Sequence, residues 1–281
     1  RGQGGLMERI PRWSSGLLKP THLAPLGALF DRIARGERVR ALVDVPAQHG
    51  KTTTSLHGLS YLITEHPRWP LGYVTFSQAQ ANRKSFEAQQ AALASGALVA
   101  SRDRITLDEW RRPEGGGCIF TGIGGGLGGN PVRALVFDDF FKNRIEAESV
   151  ARRDVVADWI TAVAIPRLPA DGSILVPSTR WHEDDLAARL LELAATPGSD
   201  QWTIVRFPAI AEEPGPDDPR AEGEALWPEK YDAERLNTIR TTVGERQWSA
   251  LYQQRPRARE GAMFKLKGLI VEDAAPATAR R

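Results

Sequence analysis

Gly50-Lys51-Thr52 follows a short apolar run and opens a stretch with helical spacing. A loop so placed presents backbone N–H groups and a helix N-terminus, and both attract phosphate. In the segment Pro46, Ala47, Gln48, His49, Gly50, Lys51, Thr52, Thr53, the Lys51 ammonium would reach the outer phosphates of a nucleotide and the Thr52 hydroxyl would ligate Mg2+. The first glycine of the usual pattern is missing, and Val45 stands at its spacing. Read alone, the segment also fits an ordinary turn before a helix with a solvated lysine. A second set lies at Ala134-Leu135-Val136-Phe137-Asp138-Asp139, an apolar strand ending in two carboxylates. Side chains alternate along a strand, so the two acids leave in different directions. Asp138 would hold Mg2+, directly or through water, and Asp139 would orient and deprotonate an attacking water. Two carboxylates this close do not both ionise cheaply without a cation. The bland alternative is a strand end with two solvated acids, or Asp139 capping a turn.

These residues need a scaffold that brings strand ends together. Apolar runs at Arg40–Val45, Tyr73–Phe76, Cys118–Thr121, Ala134–Phe137, Ser173–Val176 and Trp202–Arg206 read as strands. Helical stretches read at Thr52–Glu65, Gln78–Ala94, Glu146–Val163 and Asp184–Ala194. Alternating strands and helices predict an α/β fold with a mostly parallel sheet covered on both faces. The Pro- and acid-rich stretch 212–220 marks a boundary. Beyond it, Asp232–Thr241 and Glu245–Gln253 read as a small helical lid. The organisation expected is a core over residues 1–210, a lid and linker over 211–270, and a disordered tail over 271–281.

The composition is that of an ordinary globular protein, with 41% hydrophobic and 26% charged residues. No apolar run suggests a membrane helix, and the first residues show no signal-peptide pattern. Cys118 is the only cysteine, which excludes an internal disulfide and makes a reducing compartment the default. A formal net charge of +2 does not by itself point to nucleic acid. Basic residues cluster locally at Arg102, Arg104, Arg111 and Arg112, at Lys142 and Arg144, and at Arg152 and Arg153. Each cluster is more often a solvated surface than a DNA contact.

The order of these segments resembles the ATPase half of tailed-phage terminase large subunits. The resemblance runs from about Thr21 to Val271. It includes Tyr73-Val74-Thr75-Phe76-Ser77 and Lys142-Asn143-Arg144. Its specific parts are Ser178-Thr179-Arg180-Trp181-His182-Glu183-Asp184-Asp185 and Tyr252-Gln253-Gln254-Arg255-Pro256, the latter followed by Gly261 to Lys265. It implies a RecA-like P-loop ATPase with a small lid, using ATP and Mg2+. Val45–Thr52 would be its phosphate loop, Asp138 and Asp139 its metal and water-activating acids, and Ser178 and Thr179 its coupling motif. His22 and its neighbours would lie in the adenine region. The implied work is pushing double-stranded DNA into a procapsid, with a portal protein and a small terminase subunit as partners. A homo-oligomeric ring would form on docking, with a monomer in isolation. The setting would be the host cell cytoplasm, docked transiently on the portal and absent from the mature virion. Related ATPases often place glutamate where Asp139 stands. They also often carry a trans-acting arginine where Asn130 stands; Arg133 is close and could substitute, or the finger comes from elsewhere in the chain. A C-terminal nuclease domain would begin where this chain stops, so the reading expects no nuclease chemistry here. Two rival readings are another RecA-like translocase or helicase, and a non-catalytic nucleotide-dependent assembly module.

Other residues have plainer readings. His182 lacks a second His or Cys at ligand spacing, so a structural role fits it best. Arg180 could touch phosphate or pair with Asp184. Leu186, Leu190 and Leu193 recur at helical spacing and read as core. Gly122–Gly129 reads as a mobile loop or a flexible connection. Trp227, Trp248 and Tyr252 read as packing within the lid, because duplex DNA does not offer its base faces.

Overall fold

A computed structural model of the chain describes residues 4–127, 129, 131–214 and 218–257. The expected tail 271–281 lies outside these residues, as do Asn130 and the stretch Gly261 to Lys265. In chain order the elements are α1 (Leu6–Trp13), α2 (Ala24–Ala34), β1 (Arg40–Asp44), α3 (Lys51–Glu65), β2 (Pro70–Thr75) and α4 (Gln78–Ala94). Then follow β3 (Arg104–Ile105), β4 (Glu109–Arg111), β5 (Gly117–Gly122), β6 (Ala134–Phe137), α5 (Arg144–Glu148) and α6 (Val150–Trp159). The last are β7 (Ser173–Ser178), α7 (Leu186–Ala194), β8 (Thr203–Arg206), α8 (Ala233–Val243) and α9 (Glu245–Gln247), which runs on into a π-turn at Trp248–Tyr252.

The eight strands form one sheet in the order β3-β4-β5-β2-β6-β7-β1-β8. The six strands from β5 to β8 are parallel, and β3 and β4 add an antiparallel edge. This is the mostly parallel sheet flanked by helices that the sequence pattern predicts, and it matches the RecA-like fold that the resemblance implies. Period-two alternation divides the core between the two faces. Ala41, Val43, Tyr73 and Val136 join one cluster with α1 to α4, while Leu42, Val74, Leu135 and Phe137 join the other with α6 and α7. A third, smaller cluster of Ala209, Leu236 and Trp248 is built mainly from the segment after β8.

Several boundaries differ from expectation. The predicted helix over 146–163 breaks at Ser149, whose hydroxyl accepts from the Arg152 N–H at 3.3 Å and so starts a new helix. Asp185 and Asp232 are likewise caps rather than helical residues. Leu193 is half-exposed, so the apolar stripe of α7 buries Leu186 and Leu190 but not its last member.

Candidate active site

Parallel strands end at a common sheet edge, and loops leaving that edge form the crevice where α/β sheets place ligands. Here β7 lies between β1 and β6, so the loops after β1 and β6 flank the end of β7. The loop after β1 turns into α3 at Gly50, whose φ of +87° suits a residue without Cβ. Gln48 also has a positive φ, +62°. No side chain caps α3, which leaves its first-turn amides free for an anion.

Lys51 is buried, and its Nζ lies 3.0 Å from Asp139 Oδ1 and 4.0 Å from Asp138 Oδ1. Burial disfavours the ammonium, but the Asp139 and Asp138 charges outweigh burial and raise its pKa. Asp138 is 1% exposed. Its Oδ2 accepts from the Tyr73 hydroxyl at 2.8 Å, while its Oδ1 has no hydrogen-bond partner. Burial, and next the Asp139 charge, push the Asp138 carboxyl upward against Lys51 and the nearby Thr52 and Tyr73 hydroxyls. Register explains the Tyr73 contact: Tyr73 pairs with Val136, and Asp138 sits two residues on, facing the same way. Asp139 adopts a left-handed φ of +53°, and Thr75 Oγ1 donates to its carbonyl at 3.1 Å. A non-glycine residue in that region costs about 1 kcal/mol or more and often marks a functional position.

The residues fit a Mg2+–triphosphate group. A buried carboxylate oxygen without a partner needs a cation, and Mg2+ takes one or two carboxylates and completes its shell with phosphate and water. Lys51, Thr52, Asp138 and Asp139 are brought together as the sequence predicts. Ser178 and Thr179 join them through the loop backbone: the Val45 N–H donates to the Ser178 carbonyl at 2.8 Å, and Thr179 Oγ1 donates to the Val45 carbonyl at 2.9 Å. The Ser178 hydroxyl is buried without a partner.

An aromatic collar surrounds the loop. His22 packs on Trp227 with ring centroids 4.7 Å apart and bonds the His49 carbonyl at 2.9 Å. His49 stacks on Tyr231 at 5.0 Å. Lys230 donates to the Gln48 carbonyl at 2.8 Å. Burial drives the pKa of His49 down to about 4 and lowers that of His22. Sequence reasoning placed Trp227 in the lid core, but it lies instead against Gly50 of the loop. Trp248 and Tyr252 do stack on each other, at 5.0 Å. The sequence signals for the collar were the proximity of His49 to Lys51 and the place of His22 in the resemblance; Trp227, Lys230 and Tyr231 are distant in the chain.

Arg133 is not brought to this edge. It precedes β6 at the opposite end of the sheet, pairs with Asp171, and lies over the Trp69 ring at 4.9 Å. Arg180 pairs with Asp185 at 2.6 Å and not with Asp184, which bonds Arg153 and Arg189. His182 accepts from the Asp184 N–H at 3.0 Å. In the basic clusters, Arg102, Arg111, Arg112, Arg144, Arg152 and Arg153 all pair with acids. Within the glycine-rich loop, the Gly125 carbonyl accepts from Trp159 Nε1 at 3.0 Å.

Among solved structures, the large terminase of bacteriophage HK97 superposes with a TM-score of 0.57 at 14% identity over 90% of this chain. This chain spans 56% of that protein's length. The large terminase ATPase domain of Thermus phage P74-26 gives a TM-score of 0.43 at 12% identity, covering 77% of this chain and 87% of that one. A search of curated proteins found no match. The sequence model of the family described as "terminase large subunit, T4likevirus-type, N-terminal" matches residues 44–269, and the chain belongs to that family.

Proposed function

We propose that this chain is an ATP-hydrolysing motor domain that drives double-stranded DNA into a procapsid. The observation that carries the reading is the buried convergence of Lys51 with Asp139 and Asp138 at the end of a loop opening α3. The backbone of Pro46 to Thr53 and the uncapped N-terminus of α3 bind the phosphates. Lys51 moves from Asp139 to the outer phosphates and offsets charge that develops during transfer. Thr52 and Asp138 would hold Mg2+, which when bound would supply neutralisation of the phosphate charge. Asp139, one-third exposed and released from Lys51, orients water and accepts its proton. Ser178 and Thr179, bonded to Val45, carry changes in the loop into β7.

The reading places the boundary between core and lid near residue 210, supported by the separate small cluster that begins at Ala209. DNA contacts go mainly to backbone phosphates, since a motor that packages a whole genome must ignore sequence. The portal, the small terminase subunit and neighbouring copies in a docked ring complete the machine. A trans-acting arginine is part of this reading. Arg133 qualifies only if a neighbour draws it from Asp171.

Phosphate release from Mg·ATP, measured with and without duplex DNA, tests the proposal. Lys51→Ala abolishes turnover, and Asp139→Asn lowers it about 10^2-fold or more, as expected for loss of a general base. Wild-type rates in Lys51→Ala refute the site. Absence of turnover by the wild type in an assembled ring with DNA favours the assembly-module reading instead.

A further inference from the structure

The Tyr252-Gln253-Gln254-Arg255-Pro256 run has no role in the chemistry above, yet both its glutamines are buried. Gln254 is 0% exposed and Gln253 6%. Gln254 also holds a φ of +57°, a region that glycine enters without strain. A side chain kept there against that strain has work to do. Its amide spans two segments. Oε1 accepts from the Arg180 backbone N–H at 3.0 Å, and Nε2 donates to the Leu251 carbonyl at 2.8 Å. The Leu251 carbonyl accepts in turn from the Ala47 N–H at 3.4 Å.

These bonds close a ring. Val45 is bonded to Ser178 and Thr179, Arg180 follows in the chain and is bonded to Gln254, and Gln254 returns through Leu251 to Ala47. Gln253 anchors the ring to the lid, accepting from the Ile210 N–H at 3.1 Å and donating to the Ile210 carbonyl at 3.0 Å. Every link is buried or partly buried, and breaking one leaves a polar group unsatisfied. The phosphate loop, the end of β7 and the π-turn are therefore tied to one another by hydrogen bonds.

We propose that Gln254 is the positioning residue through which the helical segment at 233–254 reads the state of the phosphate loop. This rests on the reading that the loop binds nucleotide phosphates. A change in the loop on nucleotide binding reaches Arg180 through Val45 and the end of β7, and Gln254 passes it on to Leu251 and the π-turn. The direct bond from Ala47 to Leu251, at 3.4 Å, is the longest of the ring and does not carry the change by itself. Without its amide, the loop still binds nucleotide while the π-turn no longer follows.

Hydrogen–deuterium exchange of the full chain, with and without a non-hydrolysable ATP analogue and Mg2+, tests this. In the wild type, the analogue slows exchange in both 45–54 and 248–254, by about tenfold where a buried hydrogen bond tightens. In Gln254→Met, close in size but without either bond, 45–54 still responds and 248–254 does not. Gln254→Glu keeps the acceptor for Arg180 and loses the donor to Leu251. It should show the same separation, and it carries the comparison if the methionine variant fails to fold. An equal response of 248–254 in wild type and variants overturns the assignment, as does a wild type in which 45–54 responds alone. If 45–54 does not respond in the wild type, the nucleotide site itself is wrong, and this inference falls with it.

Discussion

Replacing Tyr73 with phenylalanine removes one oxygen from the centre of the site and nothing else. The ring stays packed against Phe120, 5.6 Å away. The Asp138 carboxylate loses the Tyr73 donor on its Oδ2, at 2.8 Å, while its Oδ1 has no hydrogen-bond partner. A hydrogen bond to a charged group contributes about 1.5–3 kcal/mol, and Asp138 is too buried for water to replace it. At about 2–4 °C per kcal/mol for a domain of this class, the melting temperature at pH 7.5 without Mg2+ should fall by about 3–12 °C. The sign with pH follows from linkage. The hydroxyl favours the ionised carboxylate, so Tyr73→Phe raises a folded-state pKa that burial already holds above its unfolded value. The penalty is full above that folded pKa and fades as pH falls through it, because the protonated acid no longer needs the donor. Thermal melts of the two proteins at pH 7.5 and near pH 5 provide the assay. Identical melting temperatures at pH 7.5, or a gap that widens in acid, refute the reasoning.

Two further outcomes follow from the loop. His49 is fully enclosed and its pKa is driven down to about 4, so the unfolded chain takes up its proton first as pH falls from 6.5. Stability contributed by the neutral ring is therefore lost between pH 6.5 and 4, by up to about 3 kcal/mol. His49→Asn should flatten that slope relative to wild type in denaturant unfolding. The raised Asp138 and Asp44 carboxyls act with opposite sign but are common to both proteins. Gly50→Ala places a Cβ at ordinary contact distance, 3.6 Å from Pro20, so its cost is the φ of +87° alone, about 1–2 kcal/mol in the same unfolding assay.

Strands β1, β2, β5, β6 and β7 were legible because each is a mostly buried apolar run, and burial on both faces leaves little else for such a run to be, whereas the edge strand β8 is mostly exposed and showed itself through its β-branched Thr203, Ile204 and Val205. The β3–β4 edge did not, since two- and three-residue strands rich in Arg and Glu carry no periodic signal. Helix α1 was hidden by Pro11 within it and by its polar composition. At the site, Lys51, Thr52, Asp138 and Asp139 could be named because local pattern alone marks a loop before a helix and acids after a strand. Tyr73, Trp227 and Gln254 could not, because each acts through a neighbour far away in sequence: Asp138, His22 and Arg180. The partner of Arg180 was misread by one residue, since Asp185 points inward as the cap of α7 while Asp184 faces two other arginines. Position in a motif does not decide which of two adjacent acids turns toward the core.

The central claim is that Lys51 and the two aspartates form one phosphate-binding pocket. Calorimetric titration of the purified chain with a non-hydrolysable ATP analogue in Mg2+ addresses it without requiring turnover. The account predicts saturable one-to-one binding by the wild type, weakened by at least about tenfold, or 1.4 kcal/mol, in Lys51→Ala. Equal affinity in the two proteins, with both folded, would contradict it.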